Sequence, residues 1–222
     1  MTSAERNSGS LPRVPTAKRA LDLLLGTLGF IVLVPVMLFT AVVVWACMGW
    51  PLFFTQARPG LGGRPFRFIK FRTLTNARDA HGRLLPDPQR LTRCGRFLRR
   101  ASLDEWPSVV NVLRGELSLV GPRPLLMEYL PRYTGEQARR MEVLPGITGW
   151  AQINGRNAIS WEEKFALDVW YVDHWSVWLD LKIIFITAWK TVRREGISPP
   201  GQEFVEPFGG AGRDATKAGP HE

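Results

Sequence analysis

The pattern of hydrophobic and polar positions begins with one long run that carries no charge. The run extends from Leu23 to Met48 and reads LLLGTLGFIVLVPVMLFTAVVVWACM. A straight helix of this length would reach about 39 Å, enough to cross a bilayer core of about 30 Å. A cleavable signal peptide is disfavoured, because the run is too long and no small-residue cleavage site follows it. Length alone therefore predicts a retained transmembrane helix.

Two other features of this run argue against a simple crossing. Pro35 lies almost at its midpoint, where it removes a backbone donor and should bend the helix sharply. Basic residues flank the run on both sides, so a single span would leave one positive cluster on the wrong side of the membrane. These residues are Arg13, Lys18, Arg19, Arg58, Arg64, Arg67, Lys70 and Arg72. We therefore predict a re-entrant helix-break-helix over residues 17–50 with both ends on one face, and a kinked single span is the alternative.

Shorter patterns follow the apolar run. Residues 51–74 contain two aromatic, strand-like stretches around turn residues between Pro59 and Gly63, which predicts a β-hairpin carrying basic side chains. A tight turn is favoured over a phosphate cradle at these glycines, because no P-loop lysine motif accompanies them. Residues 75–92 are polar and aperiodic, so we predict a surface loop there.

Helical periodicity returns in the last third of the chain. Two apolar stripes with a helical spacing predict two amphipathic helices. The stripes comprise Trp161, Phe165, Val169 and Val172, and then Trp178, Leu181, Phe185, Trp189 and Val192. Such stripes ordinarily face a core. Tryptophans dominate these stripes and basic residues flank the second one, so lying along a membrane surface is the competing interpretation.

The two ends of the chain lack periodicity. Residues 1–16 and 199–222 are rich in serine, proline or glycine, which predicts flexible tails. The remaining length suits one domain, placed at residues 51–198 after the membrane segment. The predicted fold class is a helix-rich α+β monotopic membrane protein, with an N-terminal re-entrant helix, a small β-hairpin and amphipathic surface helices.

Composition points to an anionic partner. The chain has 29 Lys and Arg against 20 Asp and Glu, a net charge of +9, which attracts nucleic acid, an anionic membrane surface or a phosphorylated metabolite. Its 9 tryptophans favour a membrane surface. The two cysteines lack the paired spacing of a disulfide framework or a zinc site, and the three scattered histidines indicate no chemistry.

Candidate chemistry centres on RRASLDEWPSVVNVLRGELSLVGPRP, residues 99–124. Ser102 followed by Glu105 and an apolar run matches a capping box, so a helix should begin near Leu103 with Asp104 in its first turn. Nearby arginines can hold a diphosphate. They are Arg93, Arg96, Arg99, Arg100 and Arg123, the last between two prolines. Beside these arginines and a helix N-terminus, Asp104 should have a depressed pKa and stay ionised.

Two chemical roles are then open to Asp104. An ionised carboxylate that faces a bound phosphate can act as a nucleophile and form an acyl phosphate. It can equally hold a divalent cation that bridges phosphate oxygens. A structural interpretation also stands, because acids in a first turn complement the helix dipole and the arginines can form a solvated basic face on anionic lipid.

Four stretches of the sequence carry a resemblance to a known family. They are KRALD at 18–22, FFTQARPGLGGRPFRFIKFRTL at 53–74, TRCGRFLRRASLDEWPSVVNVLRGELSLVGPRP at 92–124 and LPGITGWAQINGRNAISWEEKFALDVWYVDHWSVWLDLKI at 144–183. In these stretches the chain resembles the small monotopic polyprenyl-phosphate phosphoglycosyl transferases, a group of bacterial sugar transferases. One departure is Val34 before Pro35, because the family commonly has serine there and a hydrogen bond from that serine is missing.

The resemblance implies an activity and a set of site residues. The reaction is transfer of sugar-1-phosphate from a UDP-sugar to polyprenyl phosphate with release of UMP, and Mg²⁺ is the family cofactor, with Asp104 its candidate ligand. Asp104 matches the nucleophile of a covalent phospho-sugar intermediate, and Glu105 matches its partner in an acid dyad. Positions that match basic or charged residues around the substrate phosphates are Arg99, Arg123, Lys18, Arg19 and Asp22.

The resemblance also implies a location and partners. The enzyme would work on the cytoplasmic leaflet of the bacterial inner membrane, where it would start a glycan. Nucleic acid is not expected, because a nucleic-acid binder gives no reason for Pro35 inside an apolar run. A homodimer is left open. The alternatives are direct transfer in a ternary complex, with Asp104 only a metal ligand, and a non-catalytic basic adaptor on the membrane surface.

Overall fold

The computed structural model describes residues 14–155, 159–193 and 208–210, and within them the fold is helix-rich α+β, as predicted. The α-helices are α1 (Thr16–Met48), α2 (Asp87–Arg90), α3 (Arg93–Arg100), α4 (Val109–Arg114), α5 (Gly135–Ala138), α6 (Trp150–Asn154), α7 (Trp161–His174) and α8 (Val177–Arg193). The strands are β1 (Phe53–Pro59), β2 (Pro65–Phe71), β3 (Ser118–Val120) and β4 (Gly146–Thr148). Most of both predicted tails lies outside the described residues.

The apolar run forms a single helix, α1, of 33 residues. Its helical structure continues through Pro35, so the predicted interruption there is absent. A proline removes only one helical hydrogen bond, and the other turns retain theirs. Among the described helices, α1 is the one long and apolar enough to cross a membrane. Apolar side chains in its middle are between 58 and 69 % exposed, namely Leu28, Ile31, Val32, Leu38 and Phe39.

Both ends of α1 are held by the same folded body. Near its start, buried Lys18 bonds to β3 and α8. Near its end, buried Val44 packs against β2 and α3. Arg72, just after β2, donates hydrogen bonds to backbone carbonyls where the helix ends, those of Met48, Gly49 and Trp50. The exposed middle of α1 therefore lies between two anchored ends.

The predicted β-hairpin is confirmed as β1 and β2. The strands are antiparallel, with Phe53 opposite Phe71 and Pro59 opposite Pro65. A hydrogen bond of 3.0 Å from the backbone nitrogen of Gly63 to the carbonyl of Gly60 closes the turn. Because Gly63 has a φ of 75°, where glycine is favoured, the tight-turn prediction is also confirmed.

A second, unpredicted sheet pairs β3 and β4 in parallel. Ser118 lies opposite Gly146, and Val120 lies opposite Thr148. A Cβ atom on Gly146 would lie 2.0 Å from the backbone nitrogen of Gly121, so the two segments can approach this closely only with glycine. The close approach brings the loop that follows β3 against the start of β4.

The two predicted amphipathic helices are present as α7 and α8, and they face different surroundings. Phe165 and Val169 of α7 are buried, so its stripe belongs to the core. On α8, Trp178 is 81 % exposed and Phe185 is 69 % exposed, whereas Ile183 is fully buried. The membrane-surface interpretation therefore keeps its support for α8, and the side chain of Val192 lies outside the described residues. Residues 75–92 form the predicted loop apart from the short α2.

A three-residue piece of the predicted C-terminal tail is docked on the domain. Phe208 is fully buried in a cluster with Leu125, Tyr129 and Phe165. This cluster, together with Tyr133 and Trp161 at its edge, is called the aromatic cluster below. The burial of Phe208 departs from the prediction of a free tail at this point in the chain.

Candidate active site

The acid pair lies in the turn between α3 and α4. α3 ends at Arg100, and backbone hydrogen bonds donated by Ser102 and Leu103 close its C-terminal end. No helix begins at Leu103, because Ser102 has a φ of 54° and α4 starts only at Val109. The predicted capping box is therefore wrong: the serine ends one helix instead of starting another, and Glu105 uses its carboxylate elsewhere.

Asp104 is fixed against the end of β2. Its backbone carbonyl accepts a hydrogen bond of 2.8 Å from the nitrogen of Phe71, and the residue is 5 % exposed. This position brings its carboxylate within electrostatic range of Lys70 on β2 and Arg99 on α3. Arg99 also donates a hydrogen bond of 3.0 Å to the hydroxyl of Thr73, which holds its side chain toward β2.

Glu105 forms a two-pronged ion pair with Arg123. One guanidinium nitrogen donates to Glu105 Oε2 at 3.0 Å, and the second donates to Oε1. The side chain of Arg123 is 46 % exposed and that of Glu105 is 24 % exposed, so the pair faces solvent. Bidentate geometry of this kind fixes orientation as well as charge.

A small open cleft of about 70 Å³ lies over this ion pair. Three cationic side chains and one acid line it among apolar groups. The lining residues are Arg58, Phe68, Lys70, Glu105, Arg123, Pro124, Gly146 and Ile147. The excess of positive charge suits a ligand with more than one negative charge, such as a diphosphate.

The pKa of Asp104 is shifted in the direction opposite to the prediction, upward instead of downward. Burial raises it, the neighbouring Glu105 carboxylate raises it further, and the cations lower it by less, so the pKa is about 6. The expected depression rested on nearby arginines and on a helix beginning near Leu103; no helix begins there, and the arginines lower the pKa by less than burial raises it. The carboxyl of Asp104 therefore titrates close to neutral pH.

Glu105 behaves in the opposite way. Burial raises its pKa, but the charge and hydrogen bonds of Arg123 outweigh burial and hold the pKa below its usual value. Burial lowers the pKa of Lys70 and also that of Arg58, the latter with a contribution from Arg123. The dyad thus pairs a firmly ionised acid with one whose pKa is about 6.

The segment that carries Arg123 is fixed by its backbone. Three successive carbonyls each accept a hydrogen bond from a different part of the fold. The Pro122 carbonyl accepts from the nitrogen of Gly146 at 3.0 Å, the Arg123 carbonyl from Arg140 at 2.8 Å, and the Pro124 carbonyl from Arg58 at 3.2 Å. Both prolines are buried and Arg123 is exposed between them, so its side chain is directed outward from a rigid support.

A buried ion pair supports that segment from behind. Arg140 donates to Asp168 Oδ2 of α7 at 2.7 and 3.1 Å, and both side chains are 3 % exposed. Burial raises the pKa of Asp168, and the charge of Arg140 opposes that shift. Because Arg140 also bonds to the Arg123 carbonyl, α7 is linked to the cleft through one guanidinium.

Comparison with known proteins identifies the family. The profile of the bacterial sugar transferases matches residues 14–194, which include α1, the acid pair, the cleft and α8. The chain belongs to the bacterial sugar transferase family. The resemblance seen in the sequence is therefore confirmed, and the protein is an enzyme of the phosphoglycosyl transferase type.

Three relatives show the extent of the similarity to known sugar transferases. The uncharacterized sugar transferase EpsL of Bacillus subtilis strain 168 is 61 % identical over 177 residues, 80 % of this chain and 88 % of EpsL. The UDP-glucose:undecaprenyl-phosphate glucose-1-phosphate transferase of Caulobacter vibrioides is 38 % identical, over 82 % of this chain and 73 % of that protein. The protein of the same name from Xanthomonas campestris pv. campestris is 41 % identical, over 78 % of this chain but only 38 % of its own length.

Of the predicted site residues of the sugar transferase, Glu105 and Arg123 line the cleft. Asp104 and Arg99 are not among the lining residues but interact electrostatically with each other, and Asp104 also with Lys70 and Arg123 of the lining.

The other three predicted site residues, which follow the start of α1, have different partners. The ammonium group of Lys18 donates hydrogen bonds of 2.7 to 3.1 Å to the carboxylate of Asp180, the hydroxyl of Tyr171 and the carbonyl of Val120. Arg19 donates to the carbonyls where α4 ends, those of Val112 and Leu113. Asp22 accepts hydrogen bonds from Ser118 and from the backbone of Leu119. In this structure these residues anchor the start of α1.

The donor groups near the cleft can be tested against the Mg²⁺ that the family implies. Within the described residues, no three His, Cys, Asp or Glu side chains gather into a metal site. Mg²⁺ in proteins commonly takes one or two carboxylates and completes its shell with water and phosphate oxygens. Asp104 can meet that need with a bound diphosphate, whereas Glu105 has both oxygens engaged by Arg123.

Sequence reasoning missed four residues of the site: Arg58, Lys70, Arg140 and Asp168. The sequence pattern could have indicated two of them, Lys70 and Asp168. Lys70 continues the alternation of buried Phe66 and Phe68 on β2, so it had to face the domain. Asp168 lies three residues after Phe165 on the apolar stripe of α7, where an acid requires a buried partner.

Proposed function

We propose that this sugar transferase moves sugar-1-phosphate from a UDP-sugar to polyprenyl phosphate through a covalent intermediate on Asp104. The observation that carries the proposal is the buried Asp104 carboxylate, which interacts electrostatically with two of the cations that line the cleft, Lys70 and Arg123. The names of the Caulobacter and Xanthomonas relatives support the donor and acceptor classes, because both proteins are called UDP-glucose:undecaprenyl-phosphate glucose-1-phosphate transferases.

The first step would use the charge pattern of the cleft. A carboxylate oxygen of Asp104 attacks the phosphorus that carries the sugar, the bond from that phosphorus to the bridging oxygen breaks, and UMP leaves with the electron pair. With its pKa raised to about 6, Asp104 is mostly ionised at pH 7. The cationic side chains offset the negative charge that the diphosphate brings to this carboxylate.

The second step would regenerate the carboxylate. A phosphate oxygen of the polyprenyl phosphate attacks the same phosphorus, the acyl phosphate bond breaks, and the lipid diphosphate sugar forms with Asp104 free again. Glu105 and Arg123 keep their ion pair throughout, so Arg123 can hold phosphate oxygens in a fixed direction. When bound, Mg²⁺ would be held by Asp104 and substrate oxygens and would neutralise charge on the diphosphate.

A membrane setting follows from the proposed acceptor. Anchors at both ends of α1, with exposed apolar side chains between them, support a re-entrant arrangement that keeps both ends on the cytoplasmic side of the inner membrane. Exposed Trp178, Phe185 and Trp189 on α8 are suited to the head-group region. The acceptor phosphate would then reach the cleft without leaving the membrane surface.

The covalent intermediate can be trapped. The purified protein is incubated with a UDP-sugar labelled in the sugar and without lipid acceptor, and protein-bound label is measured after denaturation. We expect label on the wild type, its loss in Asp104→Asn, and its release on addition of polyprenyl phosphate. Glu136→Gln, which changes a 68 % exposed acid on α5, is the matched control and should retain the label.

Two outcomes would favour the alternatives. If Asp104→Asn transferred sugar at close to the wild-type rate, Asp104 would not be the nucleophile and direct transfer in a ternary complex would replace the covalent route. If the wild type released no UMP from any UDP-sugar in a panel tested with undecaprenyl phosphate, the catalytic proposal itself would fail and an adaptor role would be preferred.

A further inference from the structure

The docked C-terminal segment is built into the aromatic cluster. The ring centroid of Phe208 lies within 6.0 Å of the ring centroids of four cluster members, and its side chain is fully buried. The distances are 5.0 Å to Phe165, 5.6 Å to Trp161, 5.7 Å to Tyr129 and 6.0 Å to Tyr133. A side chain with this many ring partners determines how the others pack.

The backbone of this segment is held as well. Arg132 donates a hydrogen bond of 2.6 Å to the carbonyl of Phe208, and its guanidinium lies 5.5 Å from the ring centre of Tyr129. One arginine therefore contacts both the docked segment and the cluster that receives it. The docking of Phe208 thus combines apolar burial with a directed polar contact.

The aromatic cluster in turn borders the support of Arg123. The guanidinium of Arg140 lies 5.4 Å from the ring centre of Phe165 and 5.8 Å from that of Tyr133. It also donates a hydrogen bond of 3.3 Å to the hydroxyl of Tyr133. The same guanidinium bonds to the Arg123 carbonyl at 2.8 Å. A continuous set of contacts therefore runs from Phe208 through two rings and Arg140 to Arg123.

We infer that Phe208 is a positioning residue for Arg123, so that the C-terminal segment of this transferase is part of its active-site support. This inference rests on the proposed function, in which Arg123 holds substrate phosphate. Without the Phe208 ring, Tyr133 and Phe165 each lose a packing partner, so the two rings hold the guanidinium of Arg140 less firmly in the position where it bonds to Asp168 and Arg123. Arg123 would keep its guanidinium group and its charge, but its side chain would no longer be held in one orientation. Small misplacements of binding groups have large kinetic effects.

A double-mutant cycle tests the link in the full chain. UMP release is measured for the wild type, Phe208→Ala, Arg123→Lys and the double variant. When Arg123 is present, we expect Phe208→Ala to lower kcat/KM for the UDP-sugar by on the order of 10- to 100-fold. In the Arg123→Lys background, the same substitution should lower kcat/KM by less than about twofold. Phe208→Leu, which keeps apolar volume in the cluster, should recover part of the loss.

A matched control separates positioning from general loss of stability. Ile183 is also fully buried, in a cluster that shares no residue with the aromatic cluster. Ile183→Ala should lower the melting temperature and change kcat/KM by the same factor in both Arg123 backgrounds. If Phe208→Ala is too unstable to assay, Phe208→Leu takes its place in the cycle.

The outcomes for this inference and for the proposed function are distinct. Equal effects of the Phe208 substitution in both Arg123 backgrounds, or no effect in either, would overturn the positioning role while leaving an active wild type. A wild type that releases no UMP would instead reject the proposed function before the cycle is measured.

Discussion

At the scale of single residues, the acid pair shows how two adjacent carboxyls acquire opposite properties. Glu105 reaches the guanidinium of Arg123 and stays ionised, whereas Asp104 is buried beside that negative charge and has a pKa of about 6. Ion pairing and burial thus separate two acids that differ by one position in sequence. Their different roles in the proposed reaction follow from this separation.

The titration of Asp104 can be measured without turnover. In the metal-free protein, the carbonyl stretching band of a protonated carboxyl should be present well below pH 6 and should disappear as the pH rises through about 6. The sign follows because burial favours the neutral form. Infrared difference spectra between the wild type and Asp104→Asn isolate the band. A difference spectrum without it at low pH would contradict the raised pKa.

Arg123 should not tolerate exchange for lysine. A lysine keeps the charge but cannot form the two-pronged contact with Glu105, so both the ion pair and phosphate binding lose their direction. We expect kcat/KM for the UDP-sugar to fall on the order of 100-fold, measured as UMP release. Arg83→Lys, at a side chain that is 75 % exposed in the loop before α2, is the control and should be active. Near-normal activity of Arg123→Lys would show that charge alone suffices.

At the scale of secondary-structure elements, the cleft depends on a segment fixed by bonds from β1, β4 and Arg140. The Arg140–Asp168 pair is the buried part of that support. Asp168→Asn would leave the Arg140 charge in the interior without its counter-ion, and the free energy of unfolding should fall by about 3–5 kcal/mol. Chemical denaturation followed by tryptophan fluorescence measures the change.

A surface pair provides the comparison for that prediction. Asp173, 43 % exposed on α7, pairs with Arg139, and Asp173→Asn should leave the free energy of unfolding almost unchanged because water screens an exposed pair. Replacing both buried partners, as Arg140→Met with Asp168→Leu, should recover part of the stability that Asp168→Asn loses. If Asp168→Asn were as mild as Asp173→Asn, the buried pair would not support the segment energetically.

Elements with strong local patterns could be predicted, and elements set by distant contacts could not. The β1–β2 hairpin was visible in its turn glycines, and α7 in its apolar stripe. The β3–β4 sheet has three residues in each strand, too few for a pattern, and it exists because Gly146 allows close backbone approach. Likewise, Ser102 matched a helix start locally, but the bonds that close α3 determine its conformation.

In the candidate site, too, features set by neighbouring residues could be predicted and features set by distant contacts could not. Asp104, Glu105 and Arg123 could be found from the sequence because their spacing and neighbours are local. The pKa of Asp104 could not, since its main cause is burial created by β2 and α3 packing around the residue. Arg140 and Phe208 were invisible for a similar reason, because their importance comes from partners far away along the chain.

At the scale of the whole molecule, two of the described helices expose several large apolar side chains each. One is α1, in whose middle Leu28 and Phe39 are 58 and 69 % exposed, and the other is α8, on the face that carries Trp178. Large exposed apolar patches on a folded protein mark an interaction site. Together with a net charge of +9, they suit association with an anionic membrane surface. In the re-entrant arrangement that we propose, both ends of α1 would stay on the cytoplasmic side of that membrane.

That arrangement predicts where the two ends of α1 lie. Native Cys47 and Cys94 are replaced by serine, and single cysteines are placed at exposed Thr16, at Trp50, which is 76 % exposed, and at Arg83 as a reference for the catalytic domain. A membrane-impermeant maleimide should modify all three only after spheroplasts are permeabilised, because one folded body holds both helix ends. Modification of Thr16→Cys in intact spheroplasts, with Arg83→Cys protected, would mean that α1 crosses the bilayer. The contacts of Lys18 with α8 and of Arg72 with the end of α1 could not then exist together in the membrane.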